Sequence, residues 1–250
     1  MKEEILYGIN SVMEALRGKR RAFELFVSRD AVDRRMEKLL KLAAEKGVPV
    51  RHRDKRDIGR LCGTDHHQGV ALRLEGYPYA ELADIIAAWR GSGENGLILA
   101  LDGVQDPHNL GALIRSAACA GAHGVIIPKD RAARVTATVE KSAAGAAETI
   151  PVSQVTNLAQ TLDELKEAGF WIYGTADSAA SSIYDQDLSG NVVVVIGSEG
   201  EGIRPLVRKK CDFLVAIPLR GGVSSLNASV AGGVLLFEAL RQRLASRRRN

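Results

Sequence analysis

Residues 97–127 read LILALDGVQDPHNLGALIRSAACAGAHGVII. The opening run, Leu97–Leu101, is apolar without interruption, the pattern of a strand covered on both faces. Asp106-Pro107 marks a turn, and Asn109–Ala120 reads as a helix of mostly small and apolar residues. Val125–Ile127 is a second apolar strand. Strand, helix and strand within about 30 residues form the repeating unit of a parallel sheet.

The alternation continues downstream. Trp171–Gly174, Val192–Ile196 and Phe213–Ile217 are further strands, with helices at Leu158–Ala168 and from about Ala228 to Ala245. In that last helix Val230, Val234, Phe237 and Leu240 form an apolar stripe at steps of four, three and three. The class is α/β with a parallel sheet. No repeat of 20–50 residues is visible, which argues against a solenoid.

Upstream lies a smaller α/β module. Ile9–Leu16 reads as a helix, Phe23–Val27 as a strand, and residues 31–46 as a helix with Val32, Met36, Leu39, Leu40 and Ala43 on one face. Gly47 stops it, Val48-Pro49-Val50 begins another strand, and Gly69–Leu74 alternates as a last one. The expected organisation is a module at 1–76, a linker at 77–96 punctuated by Pro78, Gly91, Gly93 and Gly96, and a larger domain at 97–250. Within the linker, Ala80–Trp89 has room for one short helix.

Of 250 residues, 46% are hydrophobic and 26% charged, which excludes a disordered chain, a collagen-like fibre and a coiled coil. The first ten residues lack the pattern of a signal peptide, and no apolar stretch approaches the roughly 20 residues of a membrane helix. Cys62, Cys119 and Cys211 are odd in number and scattered, suiting a reducing compartment and showing no metal-ligand spacing. Cys119, among alanines, reads as a small core residue. The expectation is a soluble cytoplasmic protein with no membrane partner.

The net charge of +4 is unevenly placed. Residues 1–76 carry 17 Lys and Arg against 12 Asp and Glu, whereas residues 77–250 are close to neutral apart from a basic tail at Arg247, Arg248 and Arg249. A clustered cationic excess suits a polyanion, and a solvated face with interspersed ion pairs gives the same count.

Three polar clusters follow strand ends, where open parallel sheets bind ligands. The first holds Asn109, suited to capping the helix, and Arg115 six residues on. The second, VVVVIGSEGEGI, places Glu199 at the tip of a turn built on Gly197, Gly200 and Gly202. Its order is not the dinucleotide fingerprint, and no P-loop occurs, so nicotinamide-dependent and nucleotide-hydrolysing readings lack support. The third, IPLRGGVSSLNASVAGGVLLFEALRQR, brings Ser224, Ser225, Leu226 and Asn227 to the start of the last helix, where Ser225 and Asn227 are also suited to capping. Gly232-Gly233 inside that helix implies close packing against a helix, a ligand or a second subunit. His66-His67 has no third ligand at matching spacing and reads as a turn.

In order and spacing, DPHNLGALIRSAACAG, VVIGSEGEGI and IPLRGGVSSLNASVA resemble the three motifs of the SpoU (TrmH-type) RNA ribose 2′-O-methyltransferases, over about residues 95–245. YGINSVMEAL and HHQGVAL further resemble the bacterial members that methylate a guanosine of large-subunit (23S) rRNA. The resemblance implies a C-terminal trefoil-knot (SPOUT) α/β domain, an L30e-like N-terminal RNA-binding domain and a homodimer with each site beside the interface. It implies S-adenosylmethionine as methyl donor, no metal, and a target in the peptidyl-transferase P-loop region of the rRNA. By the same resemblance Gly197, Ile217 and Leu226 would contact the donor. Arg115 would bind the phosphate beside the target ribose, where a permanently charged guanidinium stabilises a developing alkoxide rather than acting as a simple base. Asn109 and Asn227 would orient the site, Glu199 would hold Arg115 or a ribose hydroxyl, and Ser225 would contact RNA or the donor loop. A tRNA guanosine 2′-O-methyltransferase shares these motifs, and a non-catalytic RNA-binding assembly factor has no need of all five polar residues.

Overall fold

In the computed structural model, which describes residues 3–18, 20–29, 34–176, 179–222 and 225–247 (the last without its side chain), the N-terminal residues alternate strands and helices. They run β1 (Glu3–Tyr7), α1 (Ile9–Arg17), β2 (Ala22–Ser28), α2 (Arg34–Glu45), β3 (Val50–Arg53), α3 (Lys55–Cys62) and β4 (Val70–Glu75). The sheet order is β1-β4-β2-β3; β4 is antiparallel to both neighbours, and β2 and β3 are parallel. Leu6, Leu25, Val27, Leu72 and Leu74 pack with Val12 and Leu16 of α1 and Met36 and Leu39 of α2 on one face. Phe26 and Ala71 meet Ile58 of α3 on the other. Val32 and the tail residues Arg248 and Arg249 lie outside the described residues, as does the side chain of Arg247. His66 and His67 form a turn, and the buried His67 accepts the Gly69 N–H at Nδ1 over 3.0 Å.

The rest of the chain runs α4 (Leu82–Ser92), β5 (Leu97–Asp102), α5 (Pro107–Cys119), β6 (Gly124–Pro128), α6 (Ala137–Ala143), β7 (Val152–Val155), α7 (Leu158–Glu167), β8 (Trp171–Thr175), β9 (Ser181–Ser182), β10 (Val192–Gly197), α8 (Pro205–Arg208), β11 (Phe213–Ala216) and α9 (Ala228–Arg247). Seven strands form one parallel sheet in the order β7-β6-β5-β10-β8-β11-β9. Every residue of β5 and β10 is buried, as unbroken apolar strands at a sheet centre require. The chain moves from β5 to β6 and β7 on one side and places β8 to β11 on the other. The crevice beyond the β5 and β10 ends is therefore the switch point where α/β sheets bind ligands.

Two compact units result: Met1–Pro78 with Val135–Thr149, and Tyr79–Arg134 with Ile150–Asn250. Two expectations change here. Segment 77–96 is no free linker, because Ile85 and Trp89 of α4 are buried in the second unit's core, with Trp89 at 4.4 Å from the Phe170 ring. Residues 135–149, expected within the C-terminal domain, belong to the first unit. Charge and hydrogen bonding hold them there. Arg20 is buried against Glu140, Glu148 and Glu4, with Glu148 at 2.9 Å and Glu4 at 3.0 Å. Tyr77 Oη donates to the Ala147 carbonyl at 2.9 Å.

Only half of the stripe expected on the last helix faces outward, since Val234 and Leu240 are partly buried. Leu235, Leu236, Ala239 and Gly232 of α9 are buried, whereas Val230 and Phe237 are about half exposed, as is Leu244 one heptad further on. Both faces of α9 are apolar, so periodicity alone did not choose between them. Cys119, expected in the core, is exposed on α5.

Candidate active site

Register brings the first two motifs together: Asp102 at the end of β5 pairs with Gly197 at the end of β10. Gly197 is required by contact. A Cβ there would lie 2.1 Å from the Gly202 carbonyl carbon and 2.3 Å from Ile203 N, so any side chain would force the following turn open. The buried Asp102 carboxylate fixes the far side of that turn by accepting from Arg204 N and Arg204 Nε, each at 2.7 Å.

Asn109, expected as the cap of α5, has another task. Asp106 caps the helix, its Oδ1 accepting from His108 N at 2.9 Å, with Pro107 in the first turn. Asn109 is thereby set inside the helix and buried, and its Nδ2 donates to Glu199 Oε1 at 2.5 Å. Asn227 Nδ2 donates to the same oxygen at 2.8 Å and to Asn109 Oδ1 at 3.0 Å. Two asparagines 118 positions apart in the chain thus converge on one carboxylate oxygen. Asn227 does cap its helix as well: its Oδ1 accepts from Ser229 N at 2.9 Å and Val230 N at 3.3 Å.

Two solvent-open cavities adjoin this triad. The first, about 670 Å³, lies over the ends of β8, β10 and β11 and is lined by Gly197, Ile217, Leu226, Glu199 and Ser225 among others. The second, about 930 Å³, lies over the end of β5 and includes Asp102, Gln105, Asn109, Arg131, Glu201 and Arg204. Ser198, Glu199 and Ala228 line both. The first cavity offers apolar walls at Ile196, Val215, Ile217 and Leu226 beside a turn that a Cβ would disrupt, which fits a nucleoside approached closely by backbone.

Of the residues singled out in the sequence, Asn109, Glu199 and Asn227 form the triad, and Gly197, Ser225, Ile217 and Leu226 line the first cavity. Ser224 lies outside the described residues. Arg115 is exposed on α5, lines neither cavity and makes no ion pair among the described residues; Glu199 does not hold it. Asp102, Arg131, Glu201 and Arg204 went unselected in the sequence. A lone acid closing an apolar strand was the available signal for Asp102, while Arg131 is brought in only by the loop after β6. Among the described residues no group of His, Cys, Asp and Glu is placed to hold a metal ion, and no helix is long and apolar enough to cross a membrane.

Comparison with known proteins agrees with this geometry. Residues 5–80 match the family described as RNA 2′-O ribose methyltransferase substrate binding. The 23S rRNA (guanosine-2′-O-)-methyltransferase RlmB of Ralstonia nicotianae is 47% identical over 97% of both chains. Its namesake from Photobacterium profundum is 46% identical over 97% of this chain and 99% of its own. The crystal structure of the SpoU methyltransferase AviRb from Streptomyces viridochromogenes, in complex with the cofactor AdoMet, superposes with a TM-score of 0.81 at 26% identity, covering 97% of this chain and 91% of that one. Residues 96–237, which contain the whole triad and both cavities, match the SpoU rRNA Methylase family, and the chain belongs to it.

Proposed function

We propose that this protein transfers the methyl group of S-adenosylmethionine to a guanosine ribose 2′-hydroxyl of 23S rRNA, in the cytoplasm, as a homodimer. The observation that carries the reading is the Asn109–Glu199–Asn227 triad standing between two cavities that share a wall. Relatives bearing the 23S guanosine-2′-O name align over nearly the whole chain, the N-terminal unit included, which favours rRNA over tRNA.

The donor, when bound, supplies an electrophilic methyl; Gly197, Ile217 and Leu226 would hold it in the first cavity, which all three line. Asn109 and Asn227 fix the Glu199 carboxylate by two amide N–H bonds to one oxygen, leaving Oε2 for a ribose hydroxyl. Ser225, on the rim of that cavity, would contact RNA or the donor. The expected homodimer also accounts for Arg115. Val230, Phe237 and Leu244 expose an apolar stripe on α9, the helix that packs on α5, and Arg115 with Cys119 lies on the exposed face of α5. Burying this face against a second copy would carry Arg115 to the partner's site, where it clamps the phosphate beside the target ribose and stabilises the alkoxide.

Replacing Arg115 with alanine tests the reading. Methyl transfer should fall at least about 100-fold while S-adenosylmethionine affinity by calorimetry stays within a few-fold. Equal loss of both would overturn the phosphate-side role.

A further inference from the structure

We propose that the second cavity receives the base of the target guanosine, and that Arg131 and Glu201 read it from opposite sides. This rests on the reaction proposed above and names its acceptor subsite. The two cavities share Ser198, Glu199 and Ala228, so a nucleotide bound in the second presents its ribose to the first across Glu199.

Most charged groups of the second cavity are already engaged. Asp102 and Arg204 satisfy each other, Asp106 caps α5, and Glu199 holds the two asparagines. Arg131 and Glu201 remain: both are exposed, both line the cavity, and neither makes an ion pair among the described residues. Their placement follows from topology. β6 and β10 flank β5, so the loop after β6 carries Arg131 on one side of the cavity and the turn after β10 carries Glu201 on the other. Arg131 is held with a φ of +56° in a loop pinned by Ala133 N donating to the Val104 carbonyl at 2.9 Å. A non-glycine residue in that region is strained and persists where the surroundings impose it.

Guanine offers complementary chemistry on its two flanks. O6 and N7 accept, matching the donor fork of an arginine. N1–H and the 2-amino group donate, matching a carboxylate that only accepts. Adenine keeps the N7 acceptor but sets its N6 donor against the arginine and its N1 acceptor against the carboxylate. The pair therefore selects guanosine.

The test uses full-length protein and a 23S rRNA fragment spanning the guanosine that the unsubstituted enzyme methylates. A second fragment carries inosine at that one position, which removes only the 2-amino group. Glu201→Gln should lower kcat/KM on guanosine by about tenfold or more, with a clearly smaller loss on inosine, because one of the two contacts is already missing there. Arg131→Ala should lower both substrates alike. S-adenosylmethionine affinity should stay within about twofold in either variant, which separates base reading from damage to the turn. An unchanged guanosine-to-inosine ratio in Glu201→Gln overturns the assignment, whether activity falls or not. Absence of methylation by the unsubstituted enzyme would instead overturn the reaction on which the assignment rests.

Discussion

Asn227 donates from Nδ2 to Glu199 Oε1 at 2.8 Å while its own Oδ1 accepts the Ser229 N–H at 2.9 Å. One side chain thus caps α9 and orients the carboxylate, and the two roles separate by substitution. Asn227→Ala removes the cap, worth about 1 kcal/mol, so melting should fall by roughly 2–4 °C together with activity. Glu199→Gln keeps an acceptor oxygen for both asparagines. It should leave melting within about 1 °C while methyl transfer drops on the order of 100-fold. Retention of full activity by Glu199→Gln would remove the carboxylate from the reaction.

The adjacent glycines of α9 should respond in opposite directions. A Cβ on Gly232 would lie 2.3 Å from Leu113 Cδ2 of the buried α5 face, whereas one on Gly233 meets only Ser116 Oγ at 3.8 Å. Gly232→Ala is expected to destabilise by about 1–3 kcal/mol through overpacking. Gly233→Ala should be neutral or gain up to about 1 kcal/mol from helix propensity. Denaturant melts of the two variants, compared directly, check this; equal effects would contradict the α5–α9 packing.

Glu140 gives the first unit a pH dependence of definite sign. Burial pushes its carboxyl up to about 7 despite Arg20 beside it, with the Glu148 and Glu4 charges adding to the rise. The folded chain then holds a proton that the unfolded chain has released above its ordinary value of 4.5. This group's contribution is therefore full below about pH 4.5 and is lost as pH rises towards about 7. Other carboxylates oppose the trend in acid, so the readout is a difference. The melting temperature of the native chain minus that of Glu140→Gln should decline from pH 5 to pH 8. Parallel profiles would show that Glu140 keeps its charge throughout.

How much was legible before the structure follows from where information sits in a chain. The apolar strands of the large sheet and the three polar clusters at their ends are local patterns, and reading them located the triad and the first cavity. The missed pieces depend on non-local partners. β1, α3 and the half-polar β7 are short, and each is defined by its neighbours in the fold. Asn109 looked like a cap because capping residues share its chemistry; only the Asp106 bond to His108 N shows which residue does it. The stripe on α9 was visible, but a helix apolar on both faces does not say which one meets the core. The return of residues 135–149 to the first unit rests on Arg20 finding Glu140 and Glu148, 120 and 128 positions away, which no periodicity encodes.

Arg115 lines neither cavity of its own chain, and the proposed action across a dimer makes a sharp prediction. Arg115→Ala and Glu199→Gln proteins, each reduced about 100-fold alone, should regain methyl transfer when denatured and refolded together. The mixed dimer holds one site with an intact carboxylate and an intact arginine from the other chain. If Arg115 serves its own subunit, the mixture stays as weak as its parts.

The most direct test of the account is transfer of labelled methyl from S-adenosylmethionine to unmodified 23S rRNA, with tRNA in parallel and the product mapped by nucleotide. The account predicts label in the rRNA, at the 2′-oxygen of a guanosine, with tRNA unlabelled. Label confined to tRNA, or on a base instead of a ribose, would contradict it.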